Sequence, residues 1–258
     1  MLKKQSGFSP VLIILILAII AATGLVGAKV FNKNKNLVQQ QSHPQTSSQN
    51  SQSNCTSLPK FQTPVDLTKV SSILYPGQYR GNEYKAHGGF RFDNFKPADI
   101  IVKAPIDSQI ERASRYIQNG DIQILLEFKA SCGITYRLDH ILTVAPKLKS
   151  LVDGLPQPTS DSHTTVVKPP IKIKVGEVVA LAVGSPSTQN TFVDFGVYDS
   201  RHKNQASQDP AWSAKHTQNP NDQYGICWFD LLPSSDSALV KSLPSASSES
   251  GTTSDYCK

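Results

Sequence analysis

Residues 87–94 read His87-Gly88-Gly89-Phe90-Arg91-Phe92-Asp93-Asn94, and the interpretation of the whole chain starts from them. In an extended strand, successive side chains point to opposite faces. His87, Arg91 and Asp93 would therefore share one face, and Gly89 would leave space between them. Ionisable groups gathered on one face are typical of the floor of a site, although a polar sheet edge facing water has the same pattern.

The segments that follow predict a mainly β domain. Apolar and polar residues alternate in DIQILLEFK at 121–129, ITYRLDHIL at 134–142 and TFVDFGVY at 191–198. Asn119-Gly120 is a strong turn signal before the first of these. Short strands joined by glycine and proline turns favour a β-sandwich or a barrel. A short helix is predicted near residues 147–152 and another near 234–241.

The N-terminal segment predicts a membrane anchor. Residues 5–28 carry no charge, and their centre at 11–22 reads VLIILILAIIAA. About 20 apolar residues span a bilayer as a helix. We therefore expect four regions: a cytoplasmic leader and transmembrane helix, a disordered Gln/Ser/Asn-rich linker, an extracytoplasmic β domain and a flexible tail, over residues 1–31, 32–54, 55–244 and 245–258.

Three interpretations of this segment stay open. It is a retained signal-anchor, or a signal peptide cleaved near Val26-Gly27-Ala28, or a processed leader. The third interpretation rests on Gly7-Phe8 before the apolar run, which resembles the leader of type IV pilins and pseudopilins, cut after the glycine. Leu12 stands where those leaders carry a glutamate. All three place the bulk of the chain outside the cytoplasm, as a single-pass protein of the cell membrane.

Charge and cysteine content argue against some classes of function. The net charge is +6 and no dense basic patch occurs, so we do not expect nucleic-acid binding. None of the four cysteines forms a CxxC motif, and export would favour two disulfides over free thiols. Three pairings are open, and Cys257 could pair with Cys55 or Cys227. The candidates are Cys55, Cys132, Cys227 and Cys257.

Two segments have similar sequences: VKAPIDSQI at 102–110 and IKVGEVVA at 173–180. We call them the echo segments. Such halves resemble the duplicated hybrid motif shared by biotinyl/lipoyl carriers and lysostaphin-type (LytM-like) zinc endopeptidases. A carrier would need a lysine at a hairpin tip, usually beside methionine, and Met1 is the only methionine. The resemblance to the endopeptidases implies a duplicated-hybrid-motif β-sandwich or barrel.

The order of motifs over residues 75–199 also resembles the lysostaphin/LytM family. The family opens with a histidine followed by glycine and aspartate, continues through an Ala-Pro turn, a Tyr-x-His strand end and a Val-Gly-Glu-Val turn, and closes on a His-x-His strand. The corresponding positions here are His87 with Asp93, Ala104-Pro105, Tyr136 with Asp139-His140, Val175 to Val178, and Phe192 to Asp194.

The resemblance implies a zinc site, because a hydrolytic zinc ion needs three protein ligands and one open position for water. It makes His87, Asp93 and Asp194 the metal ligands and His140 the catalytic, proton-handling residue. The sequence departs from the family at several of these positions. Asp93 lies two residues late, and Arg91 occupies the place expected for the aspartate. Asp194 replaces a histidine ligand, and Phe192 replaces the second proton-handling histidine.

These departures favour a cleft without a cofactor, in which His87, Arg91, Asp93, His140 and Asp194 form a polar network. In it, Arg91 would pair with Asp93 or Asp194, and Asp139 would orient the ring of His140. The expected function is that of a membrane-anchored, extracytoplasmic, peptidase-like domain of bacterial type. It would be non-catalytic and bind a cell-wall polymer or an envelope protein. The alternatives are a zinc-dependent peptidoglycan endopeptidase with atypical ligands and a pilin-like assembly subunit.

Overall fold

An antiparallel sheet of nine strands organises residues 57–258, the part of the chain that the computed structural model describes. A separate hairpin of two short strands lies outside this sheet. The eleven strands of the described residues are β1 (Ser72–Leu74), β2 (Gln78–Arg80), β3 (Glu83–Lys85), β4 (Gly88–Arg91), β5 (Val102–Lys103), β6 (Ser108–Gln118), β7 (Asp121–Ala130), β8 (Ile134–Val144), β9 (Thr165–Ile173), β10 (Val178–Val183) and β11 (Phe192–Asp199).

Within the described residues, four short α-helices connect or flank these strands: α1 (Lys149–Asp153), α2 (Pro210–Lys215), α3 (Pro220–Tyr224) and α4 (Ser234–Ser242). Helix α1 extends the 3-10 turn Pro146–Leu148, so the helix predicted near 147–152 is present. Helix α4 covers the second predicted helix. Helices α2 and α3 each begin with proline behind a capping side chain, Asp209 and Asn219 respectively.

Seven strands of the large sheet lie in the order β1-β4-β11-β8-β7-β6-β9, and β10 joins β8 to β5. Strands far apart in sequence therefore become neighbours at the centre. Asp194 of β11 lies opposite Gly89 of β4 on one side and opposite Asp139 of β8 on the other. This register brings the residues picked out by the sequence onto one patch of the sheet.

The two faces of β11 have different roles because its side chains alternate. Val193, Phe195 and Val197 are fully buried in the hydrophobic core. Phe195 packs there against Phe90 of β4 and against Trp228, with ring centroids 6.3 and 5.1 Å apart. Phe192 and Asp194 point to the other face, where they line a cleft.

Strand β8 changes partner part-way along its length. Residues 134–139 pair with β11, whereas Ile141, Thr143 and Val144 pair with β10. His140 lies between the two groups and has a left-handed backbone, with φ of 62°. This backbone interrupts the alternation, so the adjacent side chains of Asp139 and His140 both line the cleft.

The two echo segments pack against each other. Strand β5 pairs with β10, and β6 pairs with β9, so that Ser108 lies opposite Ile173. The Ala104-Pro105 turn meets the Val-Gly-Glu-Val turn through two backbone bonds, Ala104 N–H to the Glu177 carbonyl at 2.9 Å and Gly176 N–H to the Ala104 carbonyl at 2.8 Å. The two echo segments thus pair with each other at equivalent positions of their sequences.

The segment at 245–258, predicted to be a flexible tail, makes specific contacts with the domain. A disulfide joins Cys257 to Cys227, and Cys132 is disulfide-bonded as well. Gln78 donates its side-chain amide to the carbonyls of Gly251 and Thr253, at 3.2 and 2.9 Å. Of the two partners considered for Cys257, the structure has Cys227, while Cys55 lies outside the described residues.

The prediction of a mainly β domain is confirmed by the nine-stranded sheet. The transmembrane helix predicted within 1–31 and the linker predicted at 32–54 fall outside the described residues. Within residues 57–258, no helix combines the length and the apolar character needed to cross a bilayer.

Candidate functional site

A polar cleft of about 880 Å³ opens over the face of the sheet formed by β4, β11 and β8. Its floor holds a histidine–aspartate cluster, which we define as His87, His140 and Asp194. Around the cluster lie three arginines, Arg80, Arg91 and Arg137, called here the arginine group. The volume lies at the upper end of the range for small-molecule sites, so the cleft has room for a segment of a polymer.

Two glycines make room for the cluster. A side chain at Gly89 would place its Cβ 2.6 Å from the carbonyl oxygen of Val193 and 2.9 Å from Asp194 Oδ1. A side chain at Gly196 would place its Cβ 2.7 Å from the Cβ of His87. Gly88 faces the opposite side, where a Cβ would lie 2.2 Å from the carbonyl oxygen of Leu74. The paired glycines of the opening motif thus admit close neighbours on both faces of β4.

Asp194 is the centre of the cluster. His87 Nε2 lies 2.9 Å and His140 Nε2 lies 3.3 Å from the same carboxylate oxygen, Oδ2. The other carboxylate oxygen, Oδ1, is buried without a hydrogen-bond partner among the described residues. Both imidazoles are therefore directed at one side-chain oxygen.

His140 is held on both sides of its ring. Its Nδ1 lies 2.6 Å from Gln123 Oε1, and the Gln123 amide nitrogen in turn donates to the Gly184 carbonyl at 3.1 Å. Each ring nitrogen of His140 thus faces an oxygen acceptor, which favours the doubly protonated imidazolium. Burial by itself lowers the pKa of His140, but Asp139 and Asp194 outweigh it and raise the pKa above its ordinary value.

Asp139 supports the backbone of His140 rather than its ring. Its Oδ1 accepts from the His140 backbone N–H at 2.7 Å and from the Tyr116 hydroxyl at 2.7 Å. Its Oδ2 forms an ion pair with Arg137. The ring contact expected of Asp139 is made by Gln123 instead. Burial opposes ionisation of Asp139, but His140 and Arg137 hold its pKa below the ordinary value.

His87 and Asp194 have opposite electrostatic environments. Burial lowers the pKa of His87 to about 4, although Asp194 acts to raise it, so the ring is neutral at pH 7 and donates from Nε2. Burial alone would raise the pKa of Asp194, but His87 and His140 hold it well below the ordinary value. The cluster therefore combines a carboxylate at Asp194 with a neutral imidazole at His87 and with a ring at His140 whose surroundings favour its protonated form.

Arg91 lies where the family pattern has an acidic ligand, and it forms no ion pair with Asp93 or Asp194. Its guanidinium lies over the ring of Phe192, 4.6 Å from the centroid. The two residues are opposite each other in the β4–β11 register, which sets up this cation–π contact. The expectation that Arg91 pairs with a nearby aspartate is therefore wrong for this structure.

Asp93 lies apart from the other four predicted site residues. Strand β4 ends at Arg91, and Asp93 follows in an exposed turn, where its backbone N–H donates to Ser71 Oγ at 3.1 Å. Strand alternation therefore does not extend to this residue, and Asp93 does not line the cleft. The structure brings together His87, Arg91, His140 and Asp194.

The donors in this cleft do not fit a zinc ion held by the implied ligand set. His87 and Asp194 are adjacent, but Asp93 lies on the turn and a cation, Arg91, stands in the corresponding position. Among residues 57–258, no group of three His, Cys, Asp or Glu side chains has the arrangement of a metal site. We therefore derive no chemical step through a metal.

The other end of the cleft is aromatic. Tyr79, Tyr84 and His216 line the cleft there, and Trp212 packs against Tyr84 and His216. We call these four residues the aromatic rim. The ring of His216 lies 4.0 Å from that of Tyr84 and stacks at 4.0 Å on Trp212. The Tyr84 hydroxyl and the Trp212 indole N–H both donate to Asp255 Oδ2, at 3.0 and 2.7 Å. Tyr79 remains 47% exposed, so part of its side chain is open to a ligand.

Several residues that line the cleft or contact its floor were not anticipated from the sequence: Arg80, Tyr116, Gln123, Arg137 and the aromatic rim. Gln123 and Arg137 could have been found, because each is a polar residue in a predicted strand, at 121–129 and 134–142 respectively. Tyr116 and Arg80 carry no such signal, because they lie outside the predicted strands. Comparisons with protein-family models, with curated proteins and with solved structures find no match for this chain.

Proposed function

We propose that this chain is a membrane-anchored, extracytoplasmic, peptidase-like domain that binds a polymer of the bacterial cell envelope without cleaving it. The observation that carries the proposal is the set of contacts around Asp194. Its Oδ2 accepts from two histidines, and Arg91 stands on Phe192 in the place of an acidic ligand. Such a cluster suits a rigid polar floor better than a hydrolytic metal centre.

The location and the finer fold belong to the same proposal. The Cys227–Cys257 disulfide and the bonded Cys132 support folding in an oxidising compartment. The apolar segment at 11–22 supports an anchor. The pairing of β5 with β10 and of β6 with β9 supports a duplicated hybrid motif, because the two echo segments meet at equivalent points.

Co-sedimentation with isolated cell-wall sacculi tests the binding proposal. The full chain, purified in detergent, should sediment with sacculi and release no soluble fragments. Ser162 is exposed and lines the cleft, so S162W should reduce the bound fraction at least fivefold by filling it. Ser160 is exposed in the same loop and does not line the cleft, so S160W should bind as the wild type does.

The same samples separate the proposal from the zinc alternative. Metal content would be measured for the wild type and for H87A after incubation with zinc. Stoichiometric zinc lost in H87A, together with release of soluble fragments, would overturn the proposal in favour of an endopeptidase with atypical ligands. Equal sedimentation of S162W and wild type would show that the cleft does not bind the polymer.

A further inference from the structure

The arginine group has an excess of positive charge that the protein does not neutralise. Arg137 forms an ion pair with Asp139. Arg80 donates to the His87 carbonyl at 2.7 Å, but among the described residues no carboxylate lies within 4 Å of either Arg80 or Arg91. Three guanidiniums thus share the inner end of the cleft with two carboxylates, Asp139 and Asp194.

The guanidiniums are close enough to disfavour one another. Burial lowers the pKa of Arg80, and repulsion from Arg91 and Arg137 adds to this effect while Asp194 opposes it. The Nε atoms of Arg80, Arg91 and Arg137 are all buried without an acceptor in the described part of the chain. Partly buried cations without partners are costly, and an anion bound beside them would offset that cost.

Arg91 is the best placed of the three to contact a ligand. It lines the cleft, it is partly exposed, and the ring of Phe192 supports the plane of its guanidinium. No hydrogen bond within the described residues occupies its terminal nitrogens. An ordered guanidinium presents parallel N–H donors that match the two oxygens of a carboxylate, and its order reduces the entropy lost on binding.

We propose that the inner end of the cleft binds a carboxylate group of the ligand, with Arg91 as the direct contact and Arg80 and Arg137 as supporting charges. This inference rests on the proposed function, in which the cleft is a binding site, and it adds the chemical class of the group recognised. The aromatic rim at the other end leaves space for an uncharged part of the same ligand.

The test compares a peptide acid with its amide. The full chain, labelled with ¹³C and ¹⁵N in arginine and purified in detergent, would be titrated with N-acetyl-alanyl-alanine and with its C-terminal amide. The acid should shift the guanidinium signals of Arg91 and Arg80 to saturation, and the amide should not. R91Q should weaken binding of the acid at least tenfold, and R91K should recover part of the loss because it restores the charge without the planar donor pair.

Arg115 provides the matched control, because it lies on β6 outside the cleft and its guanidinium donates to the Pro156 carbonyl at 3.5 Å. R115Q should bind the acid as the wild type does. Equal binding of acid and amide, or an unchanged affinity in R91Q with a normal unfolding midpoint, would overturn the inference. Tighter binding of inorganic phosphate than of the acid would also overturn it, in favour of a phosphate site.

The outcomes of the two experiments are separable. If S162W loses sedimentation but R91Q does not affect acid binding, the polymer-binding function stands and the carboxylate inference fails. If the acid binds through Arg91 but sacculi do not sediment the protein, the carboxylate site stands and the envelope polymer is the wrong ligand.

Discussion

Single residues decide whether the floor of the cleft can form. Gly89 lies under Asp194, and its missing Cβ provides the space in which the carboxylate approaches β4. Asp194 then holds both histidines through one oxygen. The geometry of three ionisable groups thus depends on one position without a side chain.

The first prediction concerns this position. G89A should destabilise the protein by about 1–3 kcal/mol, because its Cβ would meet backbone at 2.6 Å and Asp194 at 2.9 Å. Gly154 is the control, since its nearest neighbour would be 3.4 Å away and its φ is −83°. G154A should stay within about 0.5 kcal/mol of the wild type in urea unfolding. Equal effects of the two substitutions would contradict the role assigned to Gly89.

The two histidines of the cluster should titrate on opposite sides of the ordinary value. By NMR, His87 should titrate near 4 and His140 above 6.5. Asp194 raises the pKa of both rings, so D194N should lower both. D153N, at an exposed position on α1 outside the cleft, should leave both unchanged. A rise in the His140 pKa in D194N would be incompatible with this geometry.

These shifts also fix the sign of the pH dependence of stability. The pKa of His87 is lower in the folded state, so the unfolded state binds more protons between pH 6.5 and about 4. His87 therefore makes the free energy of unfolding fall as pH decreases through that window. The pKa of His140 is raised, so its contribution is present below pH 6.5 and is lost as pH rises through the higher folded value.

At the scale of elements, β8 shapes the floor of the cleft because it changes its pairing partner at His140. A left-handed residue in a strand is unfavourable for a side chain with a Cβ, and the bonds around His140 compensate for it. The same local backbone turns His140 to the cleft face beside Asp139.

Glycine and alanine at position 140 separate backbone from side chain, because both remove the ring. H140G should be more stable than H140A by roughly 1 kcal/mol, since glycine adopts a positive φ without a steric penalty. Thr143 is exposed on the same strand and has no positive φ, so T143G should be less stable than T143A. The same order at both positions in urea unfolding would argue against a left-handed His140 in solution.

The strands and the candidate cluster were predictable to different degrees. Alternation placed His87 and Arg91 on one face and predicted β8 and β11. It failed at Asp93, because β4 ends two residues earlier, and it could not show the left-handed His140. The pairing of β7 with β8 brings Gln123 to the ring of His140, and the β2–β3 hairpin brings Arg80 to the cleft. Side-chain alternation within one strand does not encode either pairing.

At the scale of the whole molecule, the segment at 245–258 closes one side of the domain. Its Tyr256 fills the space that glycine leaves at positions 77 and 225, and its hydroxyl donates to the Asp222 carbonyl at 2.6 Å. Asp255 holds Tyr84 and Trp212 of the aromatic rim. The disulfide from Cys257 to Cys227 keeps these contacts in place.

Removing this disulfide should weaken both the fold and the rim. The cysteines are 30 residues apart, so C227A/C257A should lose roughly 3–4 kcal/mol of stability through the freed loop. Tryptophan fluorescence should also report a more exposed Trp212. T252A, an exposed substitution in the same segment, serves as control. An unchanged unfolding midpoint in the double variant would show that the other contacts suffice.

The strand order also determines when paired strands become available to each other during synthesis. Strand β4 is made early, yet its central neighbour β11 follows about a hundred residues later, a delay of roughly 5–20 s at ordinary translation rates. Until then β4 has only the three-residue β1 beside it, and an isolated pair of short strands is marginal in water. His87 therefore stays without Asp194 while about a hundred further residues are synthesised, and the cleft cannot take shape before β11 is made.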